Sequence, residues 1–114
     1  MGFIGEYTAD RANAKVEAKG DNEAKITVEW GSSATGGVVW EMQGTFDSNA
    51  LTVKYTNGTK AEYEYTDDGK TRTETVDYTD GTGTITFKEG NPLSFTWDDE
   101  KEHVADGMTF EFSV

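Results

Sequence analysis

Hydrophobic and polar residues alternate along most of this chain. Ile26, Val28 and Trp30 point one way from the backbone, while Lys25, Thr27 and Glu29 point the other. Val38, Trp40, Met42 and Phe46 stand opposite Val39, Glu41, Gln43, Thr45 and Asp47. The same period runs through Leu51, Val53 and Tyr55, through Ala61, Tyr63 and Tyr65, through Leu93, Phe95 and Trp97, and through Met108, Phe110 and Phe112. A period of two belongs to a β-strand with one buried face. The Val, Thr, Tyr, Phe and Trp content of these runs suits strands as well. A helical stripe appears over no useful length.

Turn residues punctuate the runs. Tyr55-Thr56-Asn57-Gly58, Tyr65-Thr66-Asp67-Asp68-Gly69 and Tyr78-Thr79-Asp80-Gly81 are near-copies and read as three successive hairpin turns. Residues paired across an antiparallel ladder share a face, so the phase of each run constrains its loop. Val53 opposite Ala61 makes Thr56-Asn57-Gly58 a three-residue turn with Gly58 left-handed. Tyr65 opposite Lys70 leaves a four-residue loop, and Tyr78 opposite Ile85 makes Gly81-Thr82 a type II′ turn. On this register Tyr63 faces Arg72 and Ala61 faces Glu74, and the inward side of residues 70–79 carries Arg72, Glu74, Val76 and Tyr78. The expectation is an all-β antiparallel up-and-down meander of eight or nine strands. The two long connections are 31–37 (GSSATGG) and 98–107 (DDEKEHVADG). Closure into a barrel removes the open edges of so long a meander; a two-sheet sandwich is the alternative.

At 114 residues the chain is read as one β domain, 1–114, with 1–4 as a flexible lead-in. Its 10 Lys and Arg against 22 Asp and Glu give a net charge of −12. That field repels nucleic acid and anionic lipid and leaves cations and basic proteins as partners. The absence of cysteine excludes disulfides, thiol catalysis and Cys-ligated metal. No apolar run approaches the roughly 18–20 residues of a membrane-spanning helix, and Glu6 stands where a myristoylation signal wants Ser or Thr. The protein is expected to be a monomer without an obligatory cofactor.

Two places carry candidate chemistry. The first is Trp97-Asp98-Asp99-Glu100-Lys101-Glu102-His103-Val104, which holds four carboxylates and the single histidine. Its plain reading is a solvated closing turn: Asp98 or Asp99 caps it, Asp99 and Glu102 form a capping-box spacing, Val104 and Ala105 fold back, and Gly107 stops it. The sharper reading is a calcium site built from Asp98, Asp99, Glu100, Glu102 and Asp106. The spacing is not that of an EF-hand, and one histidine without cysteine makes a poor zinc shell. A carboxylate pair for glycoside hydrolysis is a weaker possibility. So is His103 with Ser32, Ser33, Ser48, Ser94 or Ser113, which lacks any nucleophile-elbow motif.

The second place is the inward aromatic face. Trp30, Trp40, Tyr63 and Tyr65 with Arg72 and Glu74 are expected either to fill a small barrel or to line a pocket for a small apolar ligand.

Two resemblances follow from these residues. Gly5-Glu6-Tyr7 ahead of a meander resembles the G-x-W that opens lipocalin-like (calycin) barrels, with Tyr7 in place of Trp; it implies a ligand pocket. More extensively, four motifs taken in order are similar to an uncharacterised domain of bacterial secreted proteins and lipoproteins. They are Gly5, Tyr7 and Arg11; Ile26 to Ala34; Trp40 to Asp47; and Trp97 to Phe110. That resemblance implies a location outside the cytoplasm and an appended module, and it brings no catalytic residue. The expected function is therefore non-enzymatic: adhesion, spacing or interaction with a protein. Binding of a small apolar ligand is the alternative.

Overall fold

The computed structural model describes residues 2–10, 12–31, 35–66 and 69–113. Arg11, Ser32, Ser33, Ala34, Asp67 and Asp68, which figure in motifs and turns above, lie outside the described residues. The alternating runs form eight strands: β1 (Gly5–Ala9), β2 (Ala12–Ala18), β3 (Glu23–Gly31), β4 (Gly36–Asp47), β5 (Thr52–Thr66), β6 (Thr71–Lys88), β7 (Ser94–Asp99) and β8 (Thr109–Phe112). Each pairs antiparallel with the next, and β8 returns to β1 through Tyr7↔Phe112 and Thr8↔Glu111, closing the meander into a barrel. Among the described residues no helix is long and apolar enough to cross a membrane.

The inward rows meet in one core. Ala14, Val16, Ile26, Val28, Met42, Val53, Ile85, Phe95, Trp97 and Phe110 are all buried. Aromatic rings fill its width: Phe95 stacks on Phe110 at 4.7 Å, and Trp40 meets Trp97 edge-on at 5.4 Å. Each such side chain contributes about 1.5–3 kcal/mol by leaving water. The expected lead-in belongs to this core as well. Phe3 is buried and stacks on Phe87 at 4.8 Å, and the Tyr7 hydroxyl donates to the Phe3 carbonyl at 2.8 Å.

Two of the three expected hairpins are not turns. Thr56-Asn57-Gly58 lies inside β5 and Gly81-Thr82 inside β6, and only the loop after Thr66 reverses the chain. Thr66 pairs with Thr71, and Gly69 donates to the Thr66 carbonyl with a φ of 87°. Glycine serves a different purpose at 58 and 81. The two face each other across the ladder, and a Cβ at Gly58 would meet the Tyr55 ring at 2.8 Å. They allow close approach rather than reversal. The left-handed residue is Asn57, with a φ of 58°. Asn57→Gly is expected to change stability by a few tenths of a kcal/mol, whereas Asn57→Val costs about 1–2 kcal/mol; urea denaturation of the pair checks this.

These irregularities bulge the long β5–β6 ladder. Register shifts lie between Tyr55 and Gly58, Gly58 and Lys60, and Lys60 and Ala61, with a matching one between Glu41 and Gly44 on β4. One extra residue inverts the facing of everything beyond it. Val53 and Tyr55 point into the barrel, but Ala61, Tyr63 and Tyr65 point out, and Lys60, Glu62 and Glu64 take the inward phase. Beyond the bulges the ladder runs Ala61↔Val76, Tyr63↔Glu74 and Tyr65↔Arg72, two residues from the expected pairing. The ends of β3, β4, β5 and β6 thus continue past the barrel as an arm, and the molecule is 46 Å long but only 30 × 28 Å across.

Candidate functional site

The phase inversion divides the expected pocket residues between two surfaces. Trp30 and Trp40 are inside the barrel, 6.4 Å apart, with Trp40 buried. Tyr63, Tyr65, Arg72 and Glu74 are on the outer face of the arm. These four were expected together and they are, but on the outer side of the sheet, because a bulge cannot be seen by counting in twos. The interior they were meant to line holds little space. Beside Trp40, Met42, Tyr55, Tyr78 and Asp99 the packing leaves only a gap too small to admit a water. Trp97 Nε1 donates to the Tyr55 hydroxyl at 2.8 Å across the same region. Burial pushes the Tyr7 and Tyr55 hydroxyls up to about 12, and raises Tyr78 as well.

On the outer face the arm forms a saddle. Glu29, Val39, Ala61 and Val76 make one row across β3, β4, β5 and β6. Tyr63 lies over Gly37 of β4, where a Cβ would meet the Tyr63 hydroxyl at 2.6 Å. Arg72 arches back over that ring, its guanidinium carbon 4.2 Å from the Tyr63 centroid and 5.8 Å from that of Tyr65. It reaches Glu29 on β3 at 3.3 Å and Glu74 at 3.1 Å, and donates to the Tyr65 hydroxyl at 3.4 Å. Desolvation opposes the charge of Arg72, but the bonds to Tyr65 and Glu29 and the charges of Glu29 and Glu74 outweigh it and raise its pKa. Burial, with Glu29 nearby, raises Tyr63 also.

Below this arch is a recess of about 440 Å³ lined by Thr27, Glu29, Val39, Glu41, Thr59, Ala61, Arg72, Glu74, Val76 and Thr79. Its floor is apolar: Val39 and Ala61 are buried, although they face outward, and Val76 is 61% exposed. Its rim is acidic, with Glu29, Glu41 and Glu74 against Arg72, and Lys25 lies 3.5 Å from Glu41. Sequence reading missed Val39, Ala61 and Val76 as a site. An apolar residue in the outward phase, two positions before Glu41, is the signal that was available for Val39.

The 98–107 connection is a closing turn in most respects. The Asp99 carbonyl accepts from His103 N at 2.9 Å, and its Oδ1 accepts from Lys101 N at 3.2 Å. Ala105 is buried, and Gly107 is left-handed with a φ of 79°. The five carboxylates considered for calcium do not converge. Asp98 and Asp99 are neighbours in β7 and point to opposite faces, with Asp99 1% exposed in the interior. Glu102 pairs with Lys60 at 2.9 Å, which lowers its pKa, and the capping box does not close. Asp98 and Asp106 do come together, with His103 Nδ1 at 3.9 and 3.8 Å and all three exposed; Glu100 is not in the group. The partners of His103 among the described residues are these carboxylates, not a serine.

The site therefore belongs to an eight-stranded antiparallel barrel with a filled interior and a sculpted outer arm. Comparison of the chain with protein-family models, with curated proteins and with solved structures gives no match.

Proposed function

We propose that this protein is a non-enzymatic interaction module that holds a basic side chain of a partner protein in the saddle of its arm. The observation that carries this reading is the placement of space: the interior gap admits no water, while the 440 Å³ recess lies outside. An apolar floor of Val39, Ala61 and Val76 under an acidic rim suits a lysine or arginine. The aliphatic stem of such a side chain packs while its charged head stays wet. The chain's charge of −12 steers the same class of partner. The pocket for a small apolar ligand loses support, since Trp30 and Trp40 are separated from Tyr63, Tyr65, Arg72 and Glu74. The reading needs no metal or cofactor. The placement outside the bacterial cytoplasm, as a module appended to an exported protein, is part of this proposal and rests on the resemblance of the sequence motifs alone.

The test compares a short lysine-rich peptide with its norleucine counterpart, on the unaltered protein and on Val76→Lys, by fluorescence anisotropy. The expected result is about tenfold weaker binding of the norleucine peptide, and a similar loss when the tethered lysine fills the recess. Equal affinities in either comparison would overturn the reading.

A further inference from the structure

The arm leaves one strand partly unpaired. β6 bonds to β5 from Thr71 to Thr86, but β7 covers it only from Gly83 to Lys88. The closing turn reaches its middle, where Glu100 N donates to the Thr82 carbonyl and Lys101 pairs with Asp80 at 2.9 Å. Among the described residues, no strand pairs with the outer edge of residues 72–79. Such an edge offers unpaired backbone donors and acceptors to any extended chain.

We propose that this edge takes up an extended basic segment of the partner protein as an added strand. The inference rests on the interaction reading above and names how the partner lies. Both faces of the arm suit alternate side chains of such a strand. On one face is the saddle recess, bordered on β6 by Arg72, Glu74 and Val76. On the other is a recess of about 380 Å³, where Glu62 and Glu64 stand behind Thr73 and Thr75. Alternate residues of an added strand point to opposite faces, so each face offers carboxylates to a basic side chain. Asp77, Glu74 and the net charge of −12 disfavour a second copy of this acidic chain on the same edge and favour a basic one. Backbone bonds then supply affinity and the recesses supply selectivity, as in other strand-addition complexes.

The experiment uses the full chain and a peptide of about nine residues alternating lysine and threonine. Two further peptides carry N-methyl groups on one or the other alternate set of amides. Their charges are unchanged, but each lacks half of its backbone donors. The expected result is that one methylated peptide binds at least about tenfold more weakly than the parent. The parent is also expected to slow hydrogen exchange at the edge amides of residues 72–79. If all three peptides bind equally and those amides gain no protection, strand addition is overturned, while capture of a basic side chain in the saddle survives. If none binds, both readings fall.

Discussion

Replacing Trp97 by alanine is expected to lower stability by about 3–5 kcal/mol, or roughly 10–20 °C in Tm for a domain of this size. Trp97 is among the largest fully buried side chains. Its removal takes away the edge-on partner of Trp40 at 5.4 Å and the donor that satisfies the Tyr55 hydroxyl at 2.8 Å. The hole left behind is apolar on most sides and is expected to stay dry, so added indole should restore part of the lost Tm. Thermal melts of the variant with and without indole make the test. A loss under about 1 kcal/mol would mean that the barrel is not packed around this ring.

Alkali is expected to unfold the protein through buried tyrosines, of which Tyr7 and Tyr55 are the most deeply buried; Tyr78, raised as well, adds to the fall. Tyr7 and Tyr55 are buried, and burial moves each from 10.0 to about 12. The fold favours the neutral phenol. Its contribution is therefore complete below pH 10, and is lost as pH rises from 10 towards about 12 while the unfolded chain ionises first. Each shift corresponds to about 3 kcal/mol at most. Melts taken across this range should show a steep fall in Tm. Phenolate absorbance from the two should appear with unfolding rather than before it. Tyr7→Phe should flatten the fall, giving up only the hydroxyl bond to Phe3, about 1 kcal/mol. Ionisation of both near pH 10 with the fold intact would contradict this.

Much of the barrel was legible because alternation reports burial directly. The runs around Ile26, Trp40, Val53, Phe95 and Phe110 all became strands with the expected side inward. β2 was harder, since Ala12 and Ala14 fill the core with side chains too small to stand out in a pattern. The arm was misread for a physical reason. Asn-Gly and Asp-Gly serve both tight turns and bulges, and the choice between them depends on whether a neighbouring strand continues past the point. β4 does continue, pairing Gly36 with Glu64 and Glu41 with Thr59, and so Thr56-Asn57-Gly58 bends a strand instead of ending it. That single difference moved Tyr63, Tyr65, Arg72 and Glu74 from the interior to the surface. The grouping of Arg72 with Glu74 survived, because a shift of two residues preserves the face. In the 98–107 turn the capping by Asp99 and the burial of Ala105 were readable. The approach of Asp98, His103 and Asp106 was not, because it depends on how the turn folds.

A filled barrel that binds through its outer arm makes a direct prediction for a two-dimensional amide NMR titration with the lysine-rich peptide. Signals of Val39, Ala61, Glu74 and Val76 should move together to saturation, while the indole signals of Trp30, Trp40 and Trp97 stay in place. Movement of those indoles, with the arm unchanged, would instead put the binding site inside the barrel and contradict the reading.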